Sequence, residues 1–257
     1  MNGVIALNIG QFSLIYLLLV VVLLIMKRCK INQSKLLMVA SMRMTVQLVL
    51  AGLVLTFILE NPHPSFTMMY ILSMTGFAIY MVLKRNPDMN RNFKIITSVS
   101  LALSGIVIMC FFIIVIVGVS LFNPQYTIPI SGMIMGNALN GASLGLKTFN
   151  ENIISQRTKI DALINMGATP QKILTPFVNQ ALETALLPTL NSMLGMGIIS
   201  LPGMMTGQIL SGTLPMTAIL YQIAIVISAS AVTCLSVFCA LHFGYKTLYN
   251  SRNQMTI

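Results

Sequence analysis

Acidic residues are nearly absent: five Asp and Glu stand against fifteen Lys and Arg, and charged residues are only 8% of the 257 positions. So little charge excludes an ordinary soluble globular domain, where about a quarter of residues are charged. None of the five acids falls inside a long apolar run. That argues against a proton relay or a carboxylate-based cation pump, which keeps an ionisable group at membrane depth. The phosphate-cradling pattern G-x-x-x-x-G-K-[ST] does not occur, so the chain does not hold ATP phosphates in that way. Cysteine is sparse as well. Cys29 lies in a basic loop, and Cys110, Cys234 and Cys239 lie in apolar runs. No pair has C-x-x-C spacing, so neither a disulfide framework nor a zinc site is indicated.

What is abundant is apolar side chain: 56% of the sequence, with a mean hydropathy of +0.86. This composition predicts an all-α membrane protein, one transmembrane domain over residues 1–257, with about seven transmembrane helices. The expected spans are Val4–Met26, Leu36–Leu59, Phe66–Leu83, Ile95–Phe122, Ile130–Leu146, Leu186–Leu210 and Met216–Phe243. The first run is too long for a cleavable signal and is expected to remain as a span. Proline-bounded or uncharged turns at 60–65, 123–129 and 211–215 join the spans on one side. Lys and Arg occupy the loops after spans one, three and five and the tail Gly244–Ile257, which carries Lys246 and Arg252. The loops after spans two, four and six hold none. Basic loops stay in the cytoplasm, so the N-terminus is expected outside and the C-terminus inside. The same rule accounts for the net charge of +10 without nucleic acid. Arg43 is the one ion inside a span, with Gln47 four residues on; it lies early in its span and is expected to snorkel to the near face.

The only long stretch a bilayer would reject is Lys147–Glu183. Ile153, Ile154, Ile160, Leu163 and Ile164 share one helical face there, while Gln156, Lys159 and Asn165 fall elsewhere. Asn150 or Asn152 is a candidate cap, Gly167 suits a left-handed helix end, and Thr169-Pro170 starts a second helix. That second helix carries Ile173, Leu174, Phe177, Val178, Ala181 and Leu182 on one stripe and is expected to kink at Pro176. Such an element either lies in the interface or serves as a lever for a partner.

Spans five to seven carry the polar side chains expected to line a pathway. The fifth reads S-G-M-I-M-G-N-A-L-N-G-A-S-L-G-L, with Gly132/Gly136 and Gly141/Gly145 spaced for close helix approach and Asn137 and Asn140 on an adjoining face. In the sixth, Pro188 is expected to open the span and Pro202-Gly203 to interrupt it. Asn191, Ser192, Met193, Met196, Met204, Met205 and Gln208 run along it, and Gln222 continues the set in the seventh. These are the candidate pathway residues; no metal ligand set is identified among them. Packing glue is the competing role for Gly, Ser and Asn, as gap-filling is for Met.

In the polar stretch, I-D-A-L-I-N-M-G-A-T-P places Asp161 and Ala162 six and five residues before Gly167. This resembles the E-A-A-x-x-x-G signature of ABC-transporter permeases, with Asp for Glu and Leu163 for the second Ala. In that family the segment is a cytoplasmic coupling helix seated in a cleft of the ATPase. The resemblance implies an ATPase-coupling role for Ile160, Asp161, Ala162, Leu163 and Gly167. The position, ahead of two final spans, favours the lever over a helix that only lies on lipid.

Four blocks sharpen the resemblance: N-G-A-S-L-G-L-K-T-F (Asn140–Phe149), A-L-L-P-T-L-N-S-M-L-G-M-G-I-I-S-L-P-G-M-M-T-G-Q-I-L-S-G (Ala185–Gly212), Y-Q-I-A-I (Tyr221–Ile225) and G-Y-K-T-L-Y-N (Gly244–Asn250). Together they resemble the FetB-type iron-export permease family, which includes plant aluminium-tolerance permeases. The resemblance implies a non-enzymatic transport subunit of the bacterial plasma membrane. ATP and Mg would be bound by a separate ABC ATP-binding protein, and the permease would form a homodimer in membrane lipid. Family substrates span iron, aluminium tolerance and a nucleotide sugar. The residues themselves do not select iron, since thioethers favour soft Cu(I) and hard cations prefer carboxylates. A carrier or channel without ATP is the rival reading; the inverted repeat and in-span carboxylates that would favour it are not seen in the sequence.

Overall fold

The computed structural model describes residues 8–249. Residues 4–7 of the expected first span, and the tail beyond Tyr249 with Arg252, lie outside that range. The chain is a succession of helices: α1 (Ile9–Ser13), α2 (Ile15–Arg28), α3 (Ser34–Glu60), α4 (Pro64–Arg85), α5 (Arg91–Cys110), α6 (Pro124–Ser155), α7 (Arg157–Asn165), α8 (Pro170–Gly195), α9 (Gly203–Leu210) and α10 (Pro215–Gly244). Helix α5 continues as a π-helical turn over Phe111–Val117 and stops at Gly118, whose φ of 74° gives the left-handed exit. A 3₁₀ turn, Tyr245–Leu248, follows α10. Among the described residues there is no strand, only an isolated bridge between Met196 and Ser200.

Five helical stretches are long and apolar enough to cross a membrane: Gly10–Arg28, Ser34–Glu60, Pro64–Arg85, Arg91–Val117 and Pro215–Leu248. The protein is thus a multi-pass membrane protein. The remaining two of the seven expected spans fall on α6 and on α8–α9. Helix α6, at 32 residues, is about 48 Å long at 1.5 Å per residue. It and α8 are long enough, but Gly, Asn, Ser and Thr replace aliphatic side chains along them.

Three side-chain contacts tie the helices together near the ends of the bundle. At one end, Thr67 at the start of α4 donates to the Phe122 carbonyl just before α6 (3.3 Å). At the other, Asn90 before α5 reaches the Thr247 carbonyl after α10 (3.4 Å), and Arg85 at the end of α4 reaches Ser143 of α6 (3.4 Å). The second end carries Lys84, Arg85, Lys147, Lys159 and Lys172; the first carries no Lys or Arg among the described residues.

The core lies between α4, α5, α6, α8 and α10. Leu101, Phe112, Ile134, Phe149, Leu174, Val232 and Leu241 are buried in it. Helices in lipid gain little from burying apolar area against one another, so close packing has to hold them. Gly141 and Gly145 permit it. A Cβ at Gly145 would meet Ala185 Cβ and Val237 Cγ1 at 3.0 Å each and the Ala181 carbonyl at 3.1 Å, and one at Gly141 would collide with Thr233. The other expected pair behaves differently: Gly132 faces only the tip of Met74, and Gly136 faces open space.

Helices α2 and α3 stand at the periphery. Within α3 only Ile58 is buried, and within α2 none of the residues is. Tyr16 and Thr45 share a hydrogen bond of 2.5 Å between them. The Arg43 guanidinium sits 5.7 Å over the Phe77 ring of α4, so a ring face stabilises the in-span ion that the sequence alone assigned to snorkelling.

Several expected boundaries shift. Asn123 caps α6 by accepting from the Gln125 N–H (3.1 Å), so the helix starts at Pro124 and Pro129 lies inside it, not in a turn. The helix runs on to Ser155, well past Leu146. Asn150 and Asn152 are therefore interior, and α7 starts after Gln156 with no side-chain cap. Pro188 lies inside α8 rather than at a span start, and α8 runs through Pro176 without a break in its helix.

Candidate functional site

Helices α6, α8, α9 and α10 enclose a cavity of about 430 Å³. From α6 come Met133, Asn137, Asn140 and Gly141; from α8, Thr189 and Ser192; from the residue that follows it, Met196; from α9, Gly203 and Met204; from α10, Gln222. The wall carries no charged side chain. Asn137, Asn140 and Ser192 are exposed, so the cavity is open on their side. Asn137 donates to the Met133 carbonyl one turn earlier (2.8 Å), which leaves its carbonyl oxygen to the cavity.

The floor of the cavity is a helix break. The α8 helix ends at Gly195, and α9 starts at Gly203. Between them Gly197 adopts φ 81° and donates to the Ser200 carbonyl (3.0 Å), while the Ile199 and Ser200 N–H groups return to the Gly195 carbonyl (2.9 and 3.3 Å). The break thus satisfies much of its own backbone within a tight loop. The sequence puts the interruption at Pro202-Gly203; it begins six residues earlier, just ahead of Gly197, whose left-handed φ does not continue a helix.

Six of the ten expected pathway residues, Asn137, Asn140, Ser192, Met196, Met204 and Gln222, line this one cavity. Met193 and Met205 line an adjoining, more apolar cavity of about 480 Å³, which shares Met196 and Gln222 with the first. Asn191 is exposed on α8 and lines neither. Gln208 lies on α9 with its Oε1 buried and unpartnered. Met133 and Thr189 were missed from sequence. Met133 is one helical turn from Asn137 and Thr189 one turn before Met193, and that spacing was the available signal. Among the described residues no group of three or more His, Cys, Asp and Glu is gathered as a metal site.

Helix α7 sits at the basic end and joins α6 to α8, two helices that both line the cavity. Ile160 is 1% exposed and packs into the core with Ile153 and Leu174, and Leu163 and Ile164 are half-buried beside it. Asp161, Ala162 and Asn165 face outward, flanked by exposed Ile154 and Met166. The helix ends in a Schellman turn: Gly167 N–H donates to the Ile164 carbonyl (2.9 Å) and Ala168 N–H to the Leu163 carbonyl (3.0 Å), with Gly167 at φ 89°. Thr169 occupies the cap position of α8, but its side chain makes no capping bond. Of the five expected coupling residues, Asp161 and Ala162 form an outward surface, Gly167 forms the turn, and Ile160 and Leu163 anchor the helix from below.

A multi-pass helical protein with a neutral polar cavity beside a broken helix belongs with membrane permeases. The family model described as "Uncharacterised protein family (UPF0014)" matches residues 9–249, and the chain belongs to that family. The chain is 30% identical over 247 residues to "Probable iron export permease protein FetB" of Escherichia coli, covering 96% of this chain and 94% of that one. It is 30% identical over 245 residues to "UPF0014 membrane protein YjkA" of Bacillus subtilis, covering 95% and 97%. It is 33% identical over 183 residues to "Protein ALUMINUM SENSITIVE 3" of Arabidopsis thaliana, covering 71% and 66%. No solved structure matches it.

Proposed function

We propose that this chain is the membrane-spanning subunit of an ABC exporter for a metal cation, with iron the substrate suggested by the name of the Escherichia coli relative. The observation that carries the reading is the placement of α7. It presents Asp161 and Ala162 outward from the basic end, while Ile160 fastens it to the core between α6 and α8. Force applied to that face reaches both cavity walls through two continuous helices. Helices α6 and α8–α9 cross the membrane as the fifth and sixth of seven spans, and their polar faces meet at the cavity. The basic end faces the cytoplasm and the N-terminus the outside, in keeping with the segregation of Lys and Arg. ATP and Mg are held by a separate ATP-binding chain. ATP-driven closure needs two such chains facing each other, so two copies of this permease pair about a two-fold axis. In vesicles containing both subunits, metal should cross the membrane only when ATP is supplied. Equal transport without the ATP-binding chain would mark a carrier or channel instead.

A further inference from the structure

We propose that the cavity between α6, α8, α9 and α10 binds soft monovalent cations of the Cu(I) class through the thioethers of Met133, Met196 and Met204. The inference rests on the permease reading and departs from it on the substrate, replacing the iron suggested by the relative's name with a soft monovalent cation. Three methionines line one space: Met133 on α6, Met196 just past the end of α8 and Met204 on α9. The last two flank the break between α8 and α9 and line the same cavity. All three are half-buried at the cavity wall; Met133 and Met204 also pack against the core, so part of each side chain fills space between helices while part borders the cavity. Met193 and Met205 line the adjoining cavity, and Met196 borders both, so sulfur ligands continue from one space to the next.

The rest of the wall decides against a bare hard divalent ion. Asn137, Asn140, Ser192, Thr189 and Gln222 offer neutral oxygens only, and no carboxylate faces the cavity. Hard divalent cations hold carboxylate and water oxygens, and in a neutral wall at membrane depth a double charge is left uncompensated. A soft ion of single charge asks less of the wall, and thioether sulfur is the ligand it prefers. Thioethers carry no proton to displace, so binding here does not depend on pH as a thiolate or imidazole site does.

The test uses the purified full-length permease with Cys29, Cys110, Cys234 and Cys239 replaced by serine, so that thiols cannot bind the probe. Cu(I) is titrated in competition with a chromogenic Cu(I) chelator at about pH 6 and about pH 7.5, below and above the histidine range. The parent should bind Cu(I) equally at both, and an equal concentration of Fe(II) should not displace it. Leucine at Met133, Met196 or Met204 should each weaken binding by about tenfold or more. Leucine at the exposed Met216 of α10 should leave it unchanged. Copper-edge absorption on the parent gives a readout free of substitution, and sulfur scatterers are expected. Oxygen and nitrogen scatterers alone, no Cu(I) binding by the parent, displacement by equal Fe(II), or full binding by the triple leucine variant would each overturn the proposal. ATP-binding partners play no part in this measurement. Loss of coupling with Cu(I) binding intact would therefore count against the ABC reading and leave the site standing.

Discussion

Asn152 Nδ2 donates to Gln180 Oε1 at 3.0 Å, and this bond joins the end of α6 to the first half of α8 without passing through α7. The bond ties together the two helices that flank α7 in the chain. Under the coupling role proposed for α7, a push on it is shared between these two helices.

Replacing Gln180 with alanine should cost only about 0.5–1.5 kcal/mol of stability, since the amide pair is solvent-accessible. Its effect should appear in coupling: ATP turnover in the reconstituted complex should persist while metal transport per ATP falls. Parallel assays of phosphate release and metal flux check this, and an unchanged ratio would assign the bond to local stability alone.

Ile160 should behave as a packing residue and not as a docking residue. It is 1% exposed, and Ile→Ala at such a site costs about 2–5 kcal/mol. The expected outcome is a clearly lower melting temperature in detergent. A variant that melts like the parent but loses the ATP-binding subunit would return Ile160 to the docking surface.

Gly145 should tolerate nothing larger. A Cβ there already lies 3.0 Å from both Ala185 and Val237, so Gly145→Leu overpacks the contact by about 1–3 kcal/mol or more. Gly136→Ala, facing open space, should be close to neutral by the same thermal assay.

Much of this was legible in the sequence. The motif Asp161-Ala162 to Gly167 located a helix and its left-handed stop, because a Schellman turn is a local structure written in local residues. The apolar runs fixed five crossing stretches for the same reason. The ends of α6 were not legible. Nothing in Lys147–Ser155 breaks a helix, and a charge such as Lys147 changes polarity without interrupting backbone hydrogen bonding. Likewise the helix break was sought at proline, whereas Gly197 makes it; a glycine that turns left-handed looks like its neighbours Gly195 and Gly203 until the chain is folded. The cavity was half legible. Amides and thioethers signalled that polar side chains needed protein around them, but only packing separated Met196 and Met204 from Asn191, which faces away.

Orientation can be checked by thiol labelling on a background lacking native cysteines. Cysteine at Asn61, between α3 and α4, or at Gln125, at the start of α6, should react with an impermeant reagent added outside cells. Cysteine at Thr158 on α7 should react only after the membrane is opened. Labelling of the Thr158 variant in intact cells would invert the proposed orientation.

The most direct test of α7 as the coupling element is co-purification of the ATP-binding subunit with permease variants that still insert and fold. Asp161 is exposed, so Asp161→Lys reverses a surface charge without disturbing the core. Gly167→Val places a side chain at φ 89° with no steric neighbour, adding about 1–2 kcal/mol of backbone strain to the turn alone, whereas Gly167→Asn should be tolerated there. The account predicts that Asp161→Lys and Gly167→Val lower recovery of the ATP-binding subunit by about tenfold, a loss of about 1.4 kcal/mol of binding, while Gly167→Asn keeps it. Recovery at the parent level by both variants would contradict it, leaving α7 as a helix that lies on the membrane surface.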